Sequence, residues 1–359
     1  MDKLANQDFQ DLSIDQERKV ARTFMGRIEW EMIVIGLGQF VLWVVIWSLV
    51  VQSIIPLWAG FFMSTLTTAF SYLPSHAGQH GHLSGKHKNL KWLNSVVGQI
   101  SLIPLAQAHD VLKATHLKHH AYTNDPERDP DYGHTHVDHW WQSALNVHLQ
   151  TGTDGKLAKM VEEFSEEDPS FKQAMERGGL FSILFLFAQM VVVVFYPLET
   201  FFLWWLPRKL ATSYLGVVFS MEPHSKLPKG RYLDTRFWSN GMPRFLNHSM
   251  QIHVMHHMYP NICHYDEPKA IEALKPFMVA RGMPGAEEIP EKIKLNPLIR
   301  AFSLLGTFTA LNLLILIIIL SAGAVDVYRN REDYKTWQSF VWILLLALIP
   351  IGVLIFYAP

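Results

Sequence analysis

The sequence predicts an all-α integral membrane protein built from helical hairpins, and three observations lead to this fold class. Apolar runs of about 20 residues recur along the chain, which is the length that a helix needs to cross a bilayer. The mean hydropathy is only +0.10 although 49% of the 359 residues are hydrophobic, so apolar and polar stretches are segregated. Histidines at helical spacing follow several apolar runs, which predicts a helical cap beside the membrane.

Six spans are expected, paired as three hairpins with short connections. They cover residues 32–55, 57–73, 180–196, 201–220, 301–320 and 338–357. Within the fourth span, Pro207-Arg208-Lys209 is expected near the far membrane face, with residues 211–220 returning. The chain then divides into an N-terminal segment (1–30), a membrane domain that contains the histidine clusters (31–296) and a C-terminal transmembrane hairpin (297–359).

Three hairpins place both termini and both long polar segments on one side of the membrane. Lysines and arginines flank the spans on that side, which indicates the cytoplasm by the positive-inside rule. Five basic residues on the opposite side oppose this assignment: Arg208, Lys209, Arg329, Arg331 and Lys335. Residues 1–30 are polar, so no cleavable signal is expected there.

Charge and cysteine content exclude several classes of function. The net charge of −1 provides no electrostatic attraction to nucleic acid. The single cysteine, Cys263, excludes an intramolecular disulfide and any cysteine-based zinc or iron–sulfur site. Tryptophan pairs at 140–141 and 204–205 are expected in the interfacial belts, and residues 162–167 in a solvated, partly helical insertion.

Eight histidines form three clusters, each just outside an apolar run. Box one comprises His76 and His80, box two His116, His119 and His120, and box three His253, His256 and His257. Residues three and four apart share one face of a helix, so each box directs its imidazoles to one side. Imidazole suits iron, zinc, copper or nickel, and three boxes on one membrane side predict one polynuclear metal site.

The residues around the boxes carry a family resemblance. Box two is followed by Tyr122-Thr-Asn124 and Asp129-Pro-Asp131, box three by Met-Tyr259-Pro-Asn, and the fourth span by His224-Ser-Lys-Leu-Pro. Together these segments, between about residues 57 and 276, resemble the membrane fatty acid desaturases and related hydroxylases. The chain departs from the family pattern at Ala77, where aspartate is common, at residues 111–113, which lack an aromatic, and in its C-terminal hairpin.

The resemblance implies two iron ions, with O₂ as co-substrate, at a histidine-rich centre on the cytoplasmic face. Its expected ligands are His76, His80, His116, His119, His120, His224, His253, His256 and His257. His224 is preferred as the ninth ligand over His248. The implied substrate is lipid-like and acyl, and the electrons come from an external ferredoxin, rubredoxin or cytochrome docked on the basic face.

The remaining polar residues near the boxes receive secondary roles. Asp125, Asp129 and Asp131 are expected to accept hydrogen bonds from imidazoles, with direct iron ligation as the alternative. Asn94 and Asn247 are expected either in that role or in turns. Exposed or peripheral positions are expected for the other histidines, namely His82, His87, His109, His134, His136, His139 and His148.

A fatty acid desaturase is therefore the expected function, with two kinds of alternative. The same metal site could serve a hydroxylase of fatty acids, alkanes or carotenoids, or an oxidative decarboxylase that forms terminal alkenes. The non-enzyme alternative is a metal transporter. Transporters place ionisable ligands within their spans, whereas every box here lies beyond the apolar runs.

Overall fold

The computed structural model describes residues 12–149, 155–238 and 250–291. Within these ranges the regular structure is helical, apart from one antiparallel bridge between Met25 and Ile262. The expected C-terminal hairpin at 301–357, together with Asn247 and His248, lies outside the described residues.

The described chain folds into fifteen α-helical segments, several of them short. They are α1 Ile14–Arg22, α2 Trp30–Val51, α3 Leu57–Phe70, α4 Tyr72–Gln79, α5 Trp92–Ser101, α6 His109–Tyr122, α7 Tyr132–Thr135, α8 Trp140–Leu149, α9 Lys156–Glu167, α10 Pro169–Phe195, α11 Pro197–Thr200, α12 Leu206–Leu215, α13 Glu222–His224, α14 His253–Met258 and α15 Glu267–Ala280. Two π-helical segments, Phe201–Trp205 and Gly216–Met221, flank α12.

The first expected hairpin is present as α2 and α3, joined through residues 52–56. The helices approach closely at Gly60, where a Cβ atom would lie 2.3 Å from a methyl of Val50. Only Ser71, itself in a helical conformation, separates α3 from α4. The apolar helix therefore continues almost directly into the segment that carries box one.

Two helices of the described chain, α2 and α10, are long and apolar enough to cross a membrane. Helix α10 begins at Pro169, whose missing N–H costs nothing in a first turn. The Asp168 side chain caps it by accepting hydrogen bonds from the backbone N–H groups of Ser170 and Phe171. The preceding α9 buries Met160 and Phe164 and covers the expected insertion at 162–167.

The reversal expected at Pro207–Lys209 is wrong. Helical backbone continues from Pro197 to His224 through α11, α12, α13 and the two π segments. Pro207 lies just after the π segment Phe201–Trp205 and does not interrupt the helical backbone. Arg208 donates a hydrogen bond to Gln189 of α10 (3.3 Å), so the chain reverses earlier, around Tyr196.

One of the expected belt tryptophans is instead a packing residue. Trp204 is buried against Trp43 of α2, with ring centroids 5.4 Å apart. Trp205, Trp140 and Trp141 are exposed, as a belt position requires. The two adjacent tryptophans differ because neighbouring residues of a helix point about 100° apart.

Candidate metal centre

The three boxes lie on three helices that bring their imidazoles together. His76 lies within α4 and His80 is its C-terminal cap residue. All of box two lies on α6 and all of box three on α14. The helical spacing that predicted a shared face for each box is thus confirmed, and His224 ends α13 beside them.

The imidazole nitrogens form two adjoining groups, and in each group one ligand atom per residue lies within 4.8 Å of the others. The five-histidine group comprises His76, His80, His116, His120 and His256, and the three-histidine group His119, His224 and His257. Within the first group, Nε2 of His256 lies 3.1 Å from Nε2 of both His80 and His120. These nitrogen atoms therefore lie close enough together to share one metal ion.

His253 belongs to neither group but adjoins both. Its ring centroid lies 5.1 Å from that of His256 and 4.8 Å from that of His257. Nδ1 of His253 is buried and has no hydrogen-bond partner within the described chain. The expected ligand set therefore converges, with eight of its nine members in the two groups and His253 at their boundary.

Buried nitrogen atoms without partners show that the residues fit metal ions. Nε2 of His76, His224 and His257 is buried and makes no hydrogen bond within the described chain. Leaving a buried polar atom unpaired costs free energy, whereas a metal ion would use its lone pair. Nine imidazoles provide nitrogen ligands of the kind that iron, zinc, copper and nickel accept.

The electrostatics of the site keep most of these imidazoles neutral. Burial, followed by repulsion from neighbouring histidines, holds the pKa values of seven box residues well below 6.5: His76, His80, His116, His120, His253, His256 and His257. Burial likewise lowers the pKa of His224 to about 3. Neutral imidazole is the form that coordinates a metal, so most ligands are prepared for binding.

His119 differs because it has a carboxylate partner. Burial alone would lower its pKa, but the charges of Asp129 and Asp131 outweigh burial and raise it to about 9. Nδ1 of His119 lies 2.8 Å from Oδ1 of Asp129, whose second oxygen accepts the Asn124 backbone N–H. A carboxylate at Nδ1 fixes the tautomer and leaves Nε2 for a metal.

The three aspartates expected to orient imidazoles take different positions. Asp129 is the acceptor for His119, as expected. Asp125 instead pairs with Lys229 at 2.6 Å, and Asp131 accepts a hydrogen bond from Ser220 at 3.2 Å. His224 is oriented by a group that the sequence did not suggest, since its Nδ1 donates to the backbone carbonyl of Asp234 (3.0 Å).

Three histidines expected at exposed or peripheral positions are buried: His82, His109 and His134. Nδ1 of His82 lies 3.6 Å from the buried carboxylate of Glu29. The ring of His109 packs against Gly98, where a Cβ atom would lie only 2.4 Å from the imidazole. Nδ1 of His109 lies 3.0 Å from the Ser75 hydroxyl. His87 and His139 are exposed, as expected.

Two further residues near the boxes had no signal in the sequence. Glu267 lies 3.9 Å from Nδ1 of His256 and 3.0 Å from Nδ1 of His264. Glu29 reaches His82 from the start of α2, more than fifty residues earlier in the chain. Asn94 has a turn role, donating to the Ser84 hydroxyl and to the Lys91 carbonyl.

Comparison with known proteins agrees with this centre. Residues 52–285 match the family model of the fatty acid desaturases. The chain is 22% identical over 245 residues to fatty acid conjugase FAC2 A of Calendula officinalis, covering 55% of this chain and 64% of that protein. It is 25% identical over 221 residues to the sn-1 acyl-lipid omega-3 desaturase (ferredoxin) of Nostoc sp. (strain 36), covering 52% and 60%.

A third relative, the sn-1 oleoyl-lipid 12-desaturase of Picosynechococcus sp. (strain ATCC 27264 / PCC 7002 / PR-6), is 23% identical over 249 residues, covering 62% and 69%. The chain spans less than two thirds of the length of the conjugase and of the Nostoc desaturase. No solved structure matches it. Because the family match covers most of the chain and includes all three boxes, the chain belongs to the fatty acid desaturase family.

Proposed function

We propose that this chain is an O₂-dependent di-iron membrane oxidoreductase that desaturates a fatty acyl chain. One observation carries the proposal: two adjoining groups of buried imidazoles converge within a sequence that matches the fatty acid desaturases. Metal-binding nitrogens and family membership thus point to the same residues.

The two groups would hold the two irons, with His253 at their boundary. When bound, the iron pair supplies the oxidising power that activates O₂ and breaks an unactivated C–H bond. The protein's own residues orient the ligands: Asp129 through His119, and the Asp234 carbonyl through His224. No side-chain nucleophile is required by this chemistry.

Water exclusion at the site comes from aromatic packing. The Tyr72 and Phe219 rings pack edge to face at 5.2 Å, and their centroids lie 5.9 and 6.1 Å from that of His76. Tyr72 directly follows the apolar helix α3 and its cap residue Ser71. The acyl chain would reach the centre from that apolar side.

A membrane location is supported by the surface of α10. Large apolar side chains such as Ile183, Phe187 and Val194 are exposed along it. Soluble monomers rarely expose contiguous apolar surfaces of that extent, and lipid would cover this one. We include in the proposal a multi-pass arrangement, with the centre at the cytoplasmic face and the 301–357 hairpin adding two spans.

Electrons would come from an external donor. The Nostoc relative is an sn-1 acyl-lipid omega-3 desaturase (ferredoxin), which supports a ferredoxin as the donor for this chain. Rubredoxin and a cytochrome remain the other candidates from the sequence.

Metal and product analysis together test the proposal. Anaerobically purified protein is expected to hold about two irons per chain, and one zinc without iron would overturn the assignment. Mass spectrometry of acyl lipids from cells expressing the chain is expected to show loss of two hydrogens. An added oxygen would indicate a hydroxylase, and a terminal alkene a decarboxylase. Cells expressing His256→Ala at an equal level provide the background.

Accessibility labelling tests the membrane arrangement. A tag at the N-terminus or within residues 151–178 is expected to be reached from the cytoplasm. A tag within residues 325–334 is expected to be reached from the far side. Opposite exposure of the two termini would contradict the three-hairpin arrangement.

A further inference from the structure

The segment Ser13–Glu31, called here the N-terminal clasp, contains no predicted metal ligand. It also precedes residues 52–285, which match the family. Nevertheless it contacts the residues that follow box three and those that follow box one. These contacts suggest a role in the metal centre that neither the boxes nor the family match assigns.

Glu17 of α1 is the most buried anchor of the clasp. It is 0% exposed, and its Oε1 accepts hydrogen bonds from the hydroxyls of Tyr259 (2.6 Å) and Tyr232 (3.2 Å). Its Oε2 lies 2.9 Å from Nη2 of Arg281. A buried carboxylate is tolerated only when it is paired. Glu17 therefore ties together three separate segments, one of which begins two residues after His257.

Three more contacts hold the residues that follow box three. Met25 forms an antiparallel bridge with Ile262. Nε of Arg27 lies 2.5 Å from Oδ2 of Asp266, and the Cys263 thiol donates to the Arg27 carbonyl at 3.7 Å. Together with Tyr259, these contacts hold residues 259–266 against the clasp along their whole length.

The same clasp holds the residues that follow box one. The backbone N–H of Lys86 donates to the Gly26 carbonyl (3.2 Å). Gly85, at φ +52, lies so close to Arg27 that a Cβ atom would be 2.3 Å from its carbonyl oxygen. The Glu29 carboxylate adds the 3.6 Å contact with His82, two residues after His80.

We propose that the N-terminal clasp positions boxes one and three relative to each other, with Glu17 as its positioning residue. The two boxes meet in the five-histidine group, where Nε2 of His80 and of His256 lie 3.1 Å apart. A rigid link between the chains that leave these boxes restrains that separation. The inference rests on the proposed function only in taking the group to bind a metal ion.

Glu17→Gln is the main test, with Asp15→Asn as its matched control. Both variants remove one negative charge from α1, but the Asp15 side chain is 97% exposed and that of Glu17 is 0% exposed. Two quantities are measured: the rate at which a chelator removes iron or cobalt, and hydrogen exchange of the metal-free protein. Glu17→Gln is expected to lose metal faster than the wild type, by no more than the ~10–100-fold that loss of a ligand's direct hydrogen-bond partner costs in metal affinity.

Hydrogen exchange separates positioning from general destabilisation. In Glu17→Gln, exchange is expected to accelerate in residues 253–266 and 82–90 and to stay unchanged in α10. Asp15→Asn is expected to match the wild type in both measurements. The inference would be overturned if Glu17→Gln folds and loses metal and exchanges hydrogen at the wild-type rates. It would also be overturned if hydrogen exchange accelerates in α10 as much as in residues 253–266 and 82–90.

A pair of conservative variants tests the clasp if Glu17→Gln does not fold. Tyr259→Phe and Tyr232→Phe each remove one hydroxyl from the same carboxylate, but only Tyr259 adjoins box three. Tyr259→Phe is expected to accelerate metal loss several-fold more than Tyr232→Phe, and equal effects would contradict the proposal. If the wild type binds no iron, the proposed function fails, while exchange in the metal-free variants still tests the clasp.

Discussion

The two histidine groups are built in different ways although they adjoin. In the five-histidine group the imidazoles surround a common point, and the nearest carboxylate found for it within the described chain is Glu267, 3.9 Å from His256. In the three-histidine group, Asp129 fixes His119 and the Asp234 carbonyl fixes His224. The first group thus relies on many converging imidazoles. The second has fewer imidazoles, two of which are oriented by an acceptor at Nδ1.

The largest effect is expected from removing a converging ligand. His256→Ala deletes the imidazole whose Nε2 lies 3.1 Å from Nε2 of both His80 and His120, which opens a position to water. Desaturation should fall to background, with iron lost from the five-histidine group. His119→Ala should also abolish activity but leave that group's iron in place.

Exposed His87 supplies the control for these ligand variants, and His87→Ala should keep wild-type activity and iron content. Iron analysis and product analysis are made on the same preparations. Normal turnover by His256→Ala at normal expression would refute the metal assignment.

His224→Ala tests whether His224 is a ligand of the three-histidine group. Its Nε2 is buried without a partner in the described chain while its Nδ1 is held by a carbonyl, so we expect a loss of activity as severe as in His119→Ala. A milder loss of about 10–100-fold would instead favour His248 as the ninth ligand. The measurement is turnover per folded protein, with iron content determined in parallel.

Asp129→Asn should affect only the three-histidine group, in which Asp129 orients His119. The amide cannot accept at both of the positions that the carboxylate oxygens occupy, so His119 loses its fixed orientation. We expect metal affinity or activity to fall about 10–100-fold. Asp138→Asn, on a side chain that is 78% exposed, is the control and should change neither. Equal iron loss from both groups would remove the distinction between them.

The smallest expected effect concerns pH and the metal-free protein. Eight imidazoles of the centre have pKa values below 6.5 in the folded state, so below that pH the unfolded chain binds more protons. Their contribution to stability is therefore complete above pH 6.5 and is lost as the pH falls from there toward the folded-state pKa values, about 3 for His224. His119 has the opposite sign: its contribution is complete below 6.5 and is lost as the pH rises through about 9.

Denaturation midpoints measured across pH should therefore decline on the acid side. His119→Gln should weaken only the alkaline decline. An acid decline that is unchanged when several box histidines are replaced together would contradict this origin.

Local features of the structure were predictable because they depend on neighbouring residues. The hairpin of α2 and α3, the extension of α3 into α4 and the placement of boxes two and three on helices follow from apolar runs and from i, i+3, i+4 spacing. The reversal expected at Pro207 failed because the helical backbone continues through this proline, just after a π segment. Neither the apolar pattern nor the position of the proline indicated that π segment.

The sequence by itself indicated which histidines share a helix, since helical spacing is a local property. Only the tertiary structure decided which group each one joins. His119 and His120 are adjacent in one box, yet they enter different groups, as do His256 and His257. Neighbouring residues point about 100° apart around a helix, so one box can contribute histidines to both groups. How α4, α6, α13 and α14 pack decides the assignment, together with distant contacts such as those of Asp129 and Glu17.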